Sequence, residues 1–341
     1  VREFLEAGFI LEHEPDRLVV AWGPFASHAA RIPDRLGGYA PDFFLADPAP
    51  WHHPAGWREM SRAELRAALG PAPDPPAVAW EPPERDAYLD QYRAVMQEIG
   101  AGTITKAVPA VMERGRAAGA GARLVHALLA RALSVPPASA VYGYWTPAGG
   151  LLGATPEILF RSTGCRVETA AIASTRPLDA AAELLTDQKE LAEHQSVVDD
   201  IEEALGCFGT VEVGPRDVLS LPALAHLRTT IAVTAARPPS FTTLVAALHP
   251  TAALGVAPRA AGLGLLQALD RGVGRRRFGA PIGVEWPDGH ATCLVAIRGV
   301  QWEGGDVLLA AGGGVIAHSQ PEREWDELTL KCAAVKDMLG L

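Results

Sequence analysis

The stretch Val307-Leu-Leu-Ala-Ala-Gly-Gly-Gly-Val-Ile-Ala-His-Ser-Gln-Pro-Glu-Arg-Glu-Trp-Asp-Glu327 sets one strand, one glycine turn and one helix start side by side. Val307–Ala311 is apolar and reads as a buried strand. Gly312, Gly313 and Gly314 end it; adjacent glycines let backbone N–H groups approach an anion without side-chain clash, although a plain turn explains them more simply. Pro321 opens a helix expected to run to about Leu339, since a first-turn proline lacks only an amide that would be unpaired there anyway. Glu324 and Glu327, three residues apart, share one face of that helix.

Working outward, the same pairing recurs upstream. A long helix is expected over about 181–205, with Leu191, His194, Val198, Ile201 and Leu205 on one face and Glu190 and Glu193 three residues apart. Four carboxylates from two helices suit a hard cation such as Mg2+, which takes oxygen ligands. Spacing does not show that the helices meet, and a solvated face is the simpler reading of each pair alone.

Other helices are expected from Tyr88 to Ile99, ended by Gly100 and Gly102, and over about 122–133. Val141–Trp145, Thr229–Thr234 and Ala291–Arg298 read as strands. Residues 1–70 read as short strands and turns. Pro71, Pro73, Pro75, Pro76, Pro82 and Pro83 then crowd together and predict a stiff connector. The expected division is an N-terminal segment over 1–80, integrated into the fold, and a main body over 81–341. Strands and helices alternate irregularly, without a repeat. This suits a mixed α/β body and not a doubly wound sheet; Gly262-Leu263-Gly264 lacks the third glycine of a dinucleotide fingerprint.

Composition narrows the class. The chain has 341 residues, 48 % hydrophobic and 21 % charged, which is ample core material and excludes disorder. A net charge of −10 argues against nucleic acid. The basic run Arg271, Arg275, Arg276, Arg277 reads as a solvated loop. No apolar stretch is long enough to span a membrane, and the charges at Arg2, Glu3, Glu6, Glu12 and Glu14 leave no signal-peptide core. Cys165, Cys207, Cys293 and Cys332 lack zinc or redox spacing and are expected as reduced, mostly buried thiols of a cytoplasmic protein.

Three further side chains carry chemistry. Arg298 is expected to close a buried strand, and its planar fork suits a carboxylate. Lys106 beside Ala107-Val108 is expected to be partly desolvated, which favours a neutral base; a strand-edge lysine is the simpler reading. Glu157 follows Gly153-Ala-Thr-Pro and becomes an acid if its surroundings raise its pKa. His52–His53 reads as structural.

In order along the chain, these pieces resemble a family. Lys106-Ala-Val, Gly153-Ala-Thr-Pro-Glu157, Ala173-Ser-Thr-Arg-Pro177, Lys189-Glu-Leu-Ala-Glu-His194, Leu221-Pro-Ala-Leu-Ala-His226-Leu, His249-Pro-Thr-Ala-Ala-Leu-Gly255 with Pro258-Arg259, Ala296-Ile-Arg298 and Gly312–Glu322 resemble eight blocks of the chorismate-binding enzymes. That family includes anthranilate, aminodeoxychorismate, isochorismate and salicylate synthases. The resemblance covers about residues 85–339. It implies an α+β, anthranilate synthase component I-like fold: two packed, antiparallel-rich sheets with outer helices. It also implies chorismate as the small-molecule substrate and Mg2+ at its carboxylate, with Glu193 and Glu327 as direct ligands and Glu190 and Glu324 as the outer pair. Arg298, Gly312, Gly313, Gly314 and Lys331 match groups around the substrate carboxylates, and Thr175 and His226 match residues near the ring.

Lys106 stands where isochorismate and salicylate synthases carry a water-activating lysine and anthranilate synthases typically a glutamine. Glu157 matches the acid that protonates the leaving hydroxyl. Ala173 replaces the nucleophilic lysine of many aminodeoxychorismate synthases, and Ala253 resembles isochorismate synthases where salicylate synthases tend to have threonine; Ile297 belongs to the same substrate-side set. The resemblance thus implies an isochorismate synthase, an isomerase of menaquinone or siderophore synthesis. The alternatives are an aminating synthase, which alone would call for a separate glutaminase subunit, a salicylate synthase, or a binding protein without turnover. Ser174, Val111, Phe278 and Val256 depart from the usual glycine, arginine, tyrosine and glycine.

Overall fold

The computed structural model describes residues 1–119, 121–221 and 224–341, so Pro222 and Ala223 of the Leu221–Leu227 block lie outside the described residues. Two nine-stranded sheets dominate, and the pairings within them are antiparallel. The first runs in the order Gly56–Met60, Arg17–Trp22, Gly8–Glu14, Ala140–Thr146, Gly149–Thr155, Gly299–Glu303, Asp306–Gly312, Ala110–Ala117, Val78–Glu81. The second runs Gly209–Ser220, Leu224–Ala235, Arg166–Pro177, Ile158–Thr163, Ala291–Val295, Pro281–Glu285, Gly37–Tyr39, Trp51–His53, Ala26–His28. Residues 8–60 therefore supply strands to both sheets. The proline-rich segment leads into Val78–Glu81, an edge strand, the place in a sheet that tolerates neighbouring prolines.

Three apolar clusters explain the layering. Phe9, Leu11, Tyr142 and Leu151 of the first sheet meet Ile282, Val284 and Leu294 of the second, so the sheets pack face to face. The other face of the first sheet is covered by the helices Arg85–Gly100, Ala122–Ala132 and Pro321–Leu339 through Tyr88, Leu128, Leu328 and Val335. Ile231, Val233 and Phe160 of the second sheet pack under the helices Gln188–Gly206 and Phe241–Leu248. This is the α+β fold of two packed sheets with outer helices. No described helix is long and apolar enough to cross a membrane.

Four expectations are corrected. The region over 181–205 is not one helix: a 3-10 helix Leu178–Leu185 ends, and Asp187 caps a new helix Gln188–Gly206 by accepting from the Lys189 and Glu190 amides at 2.9 and 3.3 Å. Such a cap contributes about 1 kcal/mol. The strand ends at Val295, and Arg298 follows it in a turn with φ +57°. Arg275 is no solvated residue: it is buried, held by Asp270 at 2.9 Å and stacked over Phe43. Of the cysteines only Cys293 and Cys332 are buried, Cys165 being half-buried and Cys207 exposed; all four are free thiols.

Candidate active site

A cleft forms where strand ends of both sheets meet the helices Gln188–Gly206 and Pro321–Leu339. Glu157, Thr175, Glu193, His226, Ala253, Ile297, Arg298, Gly312, Gly314, Glu327 and Lys331 all line it. Residues far apart in sequence thus share one space. Lys106, Gly313, Glu190 and Glu324 are not part of its wall. Gly313 turns its amide to the Pro109 carbonyl at 3.4 Å. Glu190 lies in an adjoining cavity that also reaches Thr175 and Glu327.

Lys106 sits one contact behind the wall. Its strand Lys106–Ala107 is the centre of a three-stranded sheet between Val256–Ala257 and Val315–Ile316. Its side chain is 1 % exposed, and Nζ donates to Glu193 Oε1 at 3.1 Å. The expected lone base is therefore half of a buried ion pair. Gly314 makes the pair possible: a Cβ there would fall 2.4 Å from Glu193 Oε1 and 2.6 Å from Lys106 Cε. Glycine is required at 314 by space, whereas a Cβ at 313 would make only ordinary contacts.

The other three glutamates are also held by cations. Glu324 accepts from Lys189 at 2.9 Å, Glu190 faces Arg176 at 3.2 Å, and Glu327 pairs with Lys331 at 2.5 Å. Burial pushes Glu190 up to about 7, partly offset by Lys189, with Glu193 and Glu327 adding repulsion. Burial also raises Glu324. For Glu327, burial acts upward but Lys331 prevails and the carboxyl is held below its ordinary value. Glu190 and Glu327 line one adjoining cavity, so the two pairs converge. Among the described residues no three His, Cys, Asp or Glu side chains are grouped to hold a metal as the side chains stand. Lys106, Arg176, Lys189 and Lys331 are the counter-ions of the four glutamates. The donor set itself, four carboxylates with Glu190 Oε2 buried and unpartnered among the described residues, fits a hard divalent cation in charge and donor type.

The strand side of the cleft is different. Burial pushes Glu157 up to about 7, against a weak Thr251 hydrogen bond of 3.4 Å and the charges of Lys106, Arg298 and Lys331. His226 is brought down to about 3, by burial first and then by Arg298 and Lys331, so it is neutral. Its Nδ1 lies 3.0 Å from the Ser174 carbonyl, which can only accept, so Nδ1 carries the proton. Nε2 then accepts from Arg298 at 3.3 Å. Burial lowers Arg298 to about 10, still cationic at neutral pH, and its second terminal nitrogen is buried without a partner among the described residues. An unpartnered guanidinium nitrogen in a cleft suits a carboxylate.

The departures from the family pattern acquire reasons. Ser174 adopts φ +63°, the left-handed region in which glycine is unstrained. Its hydroxyl turns away from the cleft and donates to the Glu190 carbonyl at 2.7 Å, tying the strand bulge to the glutamate helix. Val256 fills the space that Gly262 leaves open, a Cβ at 262 falling 2.0 Å from a Val256 methyl. Phe278 lines the cleft and brings no hydroxyl to it. Val111 is buried in the strand that pairs with Asp306–Gly312. Sequence reading missed Thr251, and also Asp200, which accepts from the Ala252 amide at 3.3 Å and from Arg259 at 3.1 Å and so fixes the His249–Gly255 loop. The threonine lay inside a quoted block; the aspartate carried no local signal.

Comparisons with known proteins fit this geometry. Residues 51–337 match the family described as chorismate binding enzyme, and the chain belongs to that family. Anthranilate synthase component 1 of Methanothermobacter thermautotrophicus is 31 % identical over 75 % of this chain and 57 % of its own length. The salicylate biosynthesis isochorismate synthase of Pseudomonas aeruginosa is 36 % identical over 55 % of this chain and 42 % of its own length. The chain thus spans about half the length of these curated relatives. The menaquinone-specific isochorismate synthase of Escherichia coli, a solved structure, superposes with a TM-score of 0.82 at 20 % identity, covering 98 % of this chain and 88 % of that one, which establishes the shared fold.

Proposed function

We propose that this chorismate-binding enzyme is an isochorismate synthase, adding water at C2 of chorismate as the C4 hydroxyl leaves. The observation that carries the reading is a buried carboxyl, Glu157, held near neutrality in a cleft that ends in an unpartnered arginine, with a buried lysine one contact behind its wall. Once the bond to Glu193 opens, Lys106 gives its ammonium proton to solvent and, as the neutral amine, takes the proton of the attacking water. The ring double bonds shift, the C4–O bond breaks, and Glu157 protonates the departing hydroxyl. One water enters and one leaves, so the net change is an isomerisation. A carboxyl with a pKa of about 7 still holds its proton in much of the population at neutral pH, which suits an acid.

Arg298 would anchor one substrate carboxylate, oriented by neutral His226, while Lys331 and the backbone at Gly312 and Gly314 face the other. Thr175, Ala253 and Ile297 would shape the space about the ring. Magnesium, when bound, would neutralise substrate charge, with Glu193 and Glu327 as direct ligands and Glu190 and Glu324 acting through water.

The second reading, an aminating synthase served by a glutaminase subunit, is favoured by the anthranilate synthase relatives. Lys106 stands against it, since ammonia attacks without the general base that water needs. Incubation of the purified protein with chorismate and magnesium, with and without ammonia, separates the two. Isochorismate in both reactions is expected. An aminated product formed only with ammonia, or no product from folded protein, overturns the proposal.

A further inference from the structure

The main chain of Glu157 is fixed on both sides. Its amide donates to the Thr155 hydroxyl at 3.1 Å, and its carbonyl accepts from the Val295 amide at 3.1 Å. Its carboxyl is held at one point. Thr251 donates to Oε1 at 3.4 Å, while Oε2 has no hydrogen-bond partner among the described residues. A protonated carboxyl carries its hydrogen on one oxygen and accepts best at the other. A hydroxyl donor at Oε1 therefore leaves the proton to Oε2.

Thr251 is itself pinned, and it is buried. Its carbonyl accepts from the Leu254 and Gly255 amides at 3.0 and 2.8 Å. The next amide, of Ala252, donates to Asp200 Oδ2 at 3.3 Å. The same oxygen accepts from Arg259 at 3.1 Å, and Arg259 also donates to the Ala247 carbonyl at 2.5 Å. Both ends of the loop are closed. His249 donates to the Phe43 carbonyl at 2.6 Å, and the Gly255 carbonyl accepts from Val108 at 2.9 Å. Thr251 therefore has little room to leave the carboxyl it holds.

Helical spacing explains how Asp200 reaches the loop. Glu190, Glu193, Val197 and Asp200 recur at three- and four-residue steps and form one stripe of the helix Gln188–Gly206. That helix presents two carboxylates to basic side chains and a third to the loop. Directly after the loop, Val256–Ala257 pairs with Lys106–Ala107. One segment, 249–257, thus carries both the holder of the acid and the partner strand of the base.

We propose that Thr251 is the positioning residue of the acid, holding Oε1 of Glu157 so that the transferable proton rides on Oε2, and that Asp200 keeps Thr251 in place. Only the kinetic half rests on the acid role proposed for Glu157. A hydroxyl donor favours the charged carboxylate, so Thr251 works against the upward pull of burial. Lys106, Arg298 and Lys331 face the same carboxyl and also favour its charge; Glu193 and Glu327 line the same cleft, and His226 there is neutral. Substitution at 251 alters none of these groups, so loss of the hydroxyl should move Glu157 upward.

The test follows protonation of Glu157 in the full chain without substrate, by infrared titration of the carboxyl band that Glu157→Gln removes. Thr251→Val, of the same shape without the hydroxyl, should raise the midpoint by about half a unit or more. Thr251→Ser should keep the wild-type midpoint. Asp200→Ala should shift it as Thr251→Val does, and the double variant should shift it no further. In turnover of chorismate, Thr251→Val should lower kcat by about tenfold with KM within about twofold. The alkaline limb of its pH profile should move up by the infrared shift, and Thr251→Ser should restore both. A midpoint unmoved in folded Thr251→Val, or equally moved in Thr251→Ser, overturns the proposal. Additive shifts at 200 and 251 overturn the role of Asp200. A moved midpoint in a protein that forms no isochorismate leaves the positioning bond standing, and the failure belongs to the proposed reaction.

Discussion

The helical and the strand portions of the cleft treat charge in opposite ways. On the helices Gln188–Gly206 and Pro321–Leu339, Glu190, Glu193, Glu324 and Glu327 each already hold a basic side chain. On the strand side, Glu157 is raised to about 7, His226 is neutral, and Arg298 keeps one nitrogen unpartnered. The first portion is internally neutralised and must exchange partners to act. The second is desolvated in advance and lacks only an anion. Binding of a dianionic ring acid with its cation would therefore rearrange the helical portion and leave the strand portion where it is.

Breaking the helical portion should have the largest effect. Lys106→Ala removes the proposed base and leaves Glu193 buried without a counter-ion, a loss of about 3–5 kcal/mol when one partner of such a pair is deleted. Turnover should fall by at least about a thousandfold, with chorismate affinity by calorimetry little changed, and melting should move down. Near-wild-type turnover would remove Lys106 from the mechanism. Gly314→Ala, whose Cβ would fall 2.4 Å from Glu193 Oε1, should reproduce the loss without touching either charge.

Glu157→Gln probes the strand portion through pH. Its rate should fall by about 10²–10⁴. Wild-type activity should decline as pH rises through about 7, where the acid loses its proton. Stability follows the same group. The folded carboxyl titrates near 7 against an ordinary 4.5. Below 4.5 both folded and unfolded states hold the proton; from there up through about 7 the folded state progressively loses ground. Denaturant melts should therefore show the variant equal to wild type near pH 4 and more stable near pH 8, by on the order of 3 kcal/mol. A constant difference at all pH values would contradict the burial of an ionisable acid.

Arg298→Gln should raise the KM for chorismate by about a hundredfold, the range for loss of one partner of a desolvated charge pair, with a smaller change in kcat. The smallest effect is expected at the seam between the two portions. Ser174→Gly relieves a left-handed serine but releases the strand bulge from the Glu190 carbonyl, so turnover should change less than about threefold. Ser174→Val, β-branched at φ +63°, should cost more than glycine.

Much of this contrast was legible in the sequence, and the part that was not has a physical cause. The two glutamate pairs, Arg298 and Glu157 stand out because helical spacing, a run of small residues and a proline mark their local settings. The partnership of Lys106 with Glu193 does not, because the two are 87 residues apart and meet through a sheet of two-residue strands too short for any periodicity. The break before Gln188 carried a signal in Asp187, a strong capping residue, that a continuous apolar face concealed. Arg275 looked solvated within a basic run, because burial by Phe43 and Asp270 is a tertiary fact.

The account turns on water, not ammonia, as the nucleophile served by Lys106. Turnover of chorismate in H₂¹⁸O with magnesium, followed by mass spectrometry of the product, reads this directly. The predicted result is isochorismate carrying one solvent oxygen, formed at the same rate whether or not ammonium is present. A product containing nitrogen, or an isochorismate with no solvent oxygen, would contradict it.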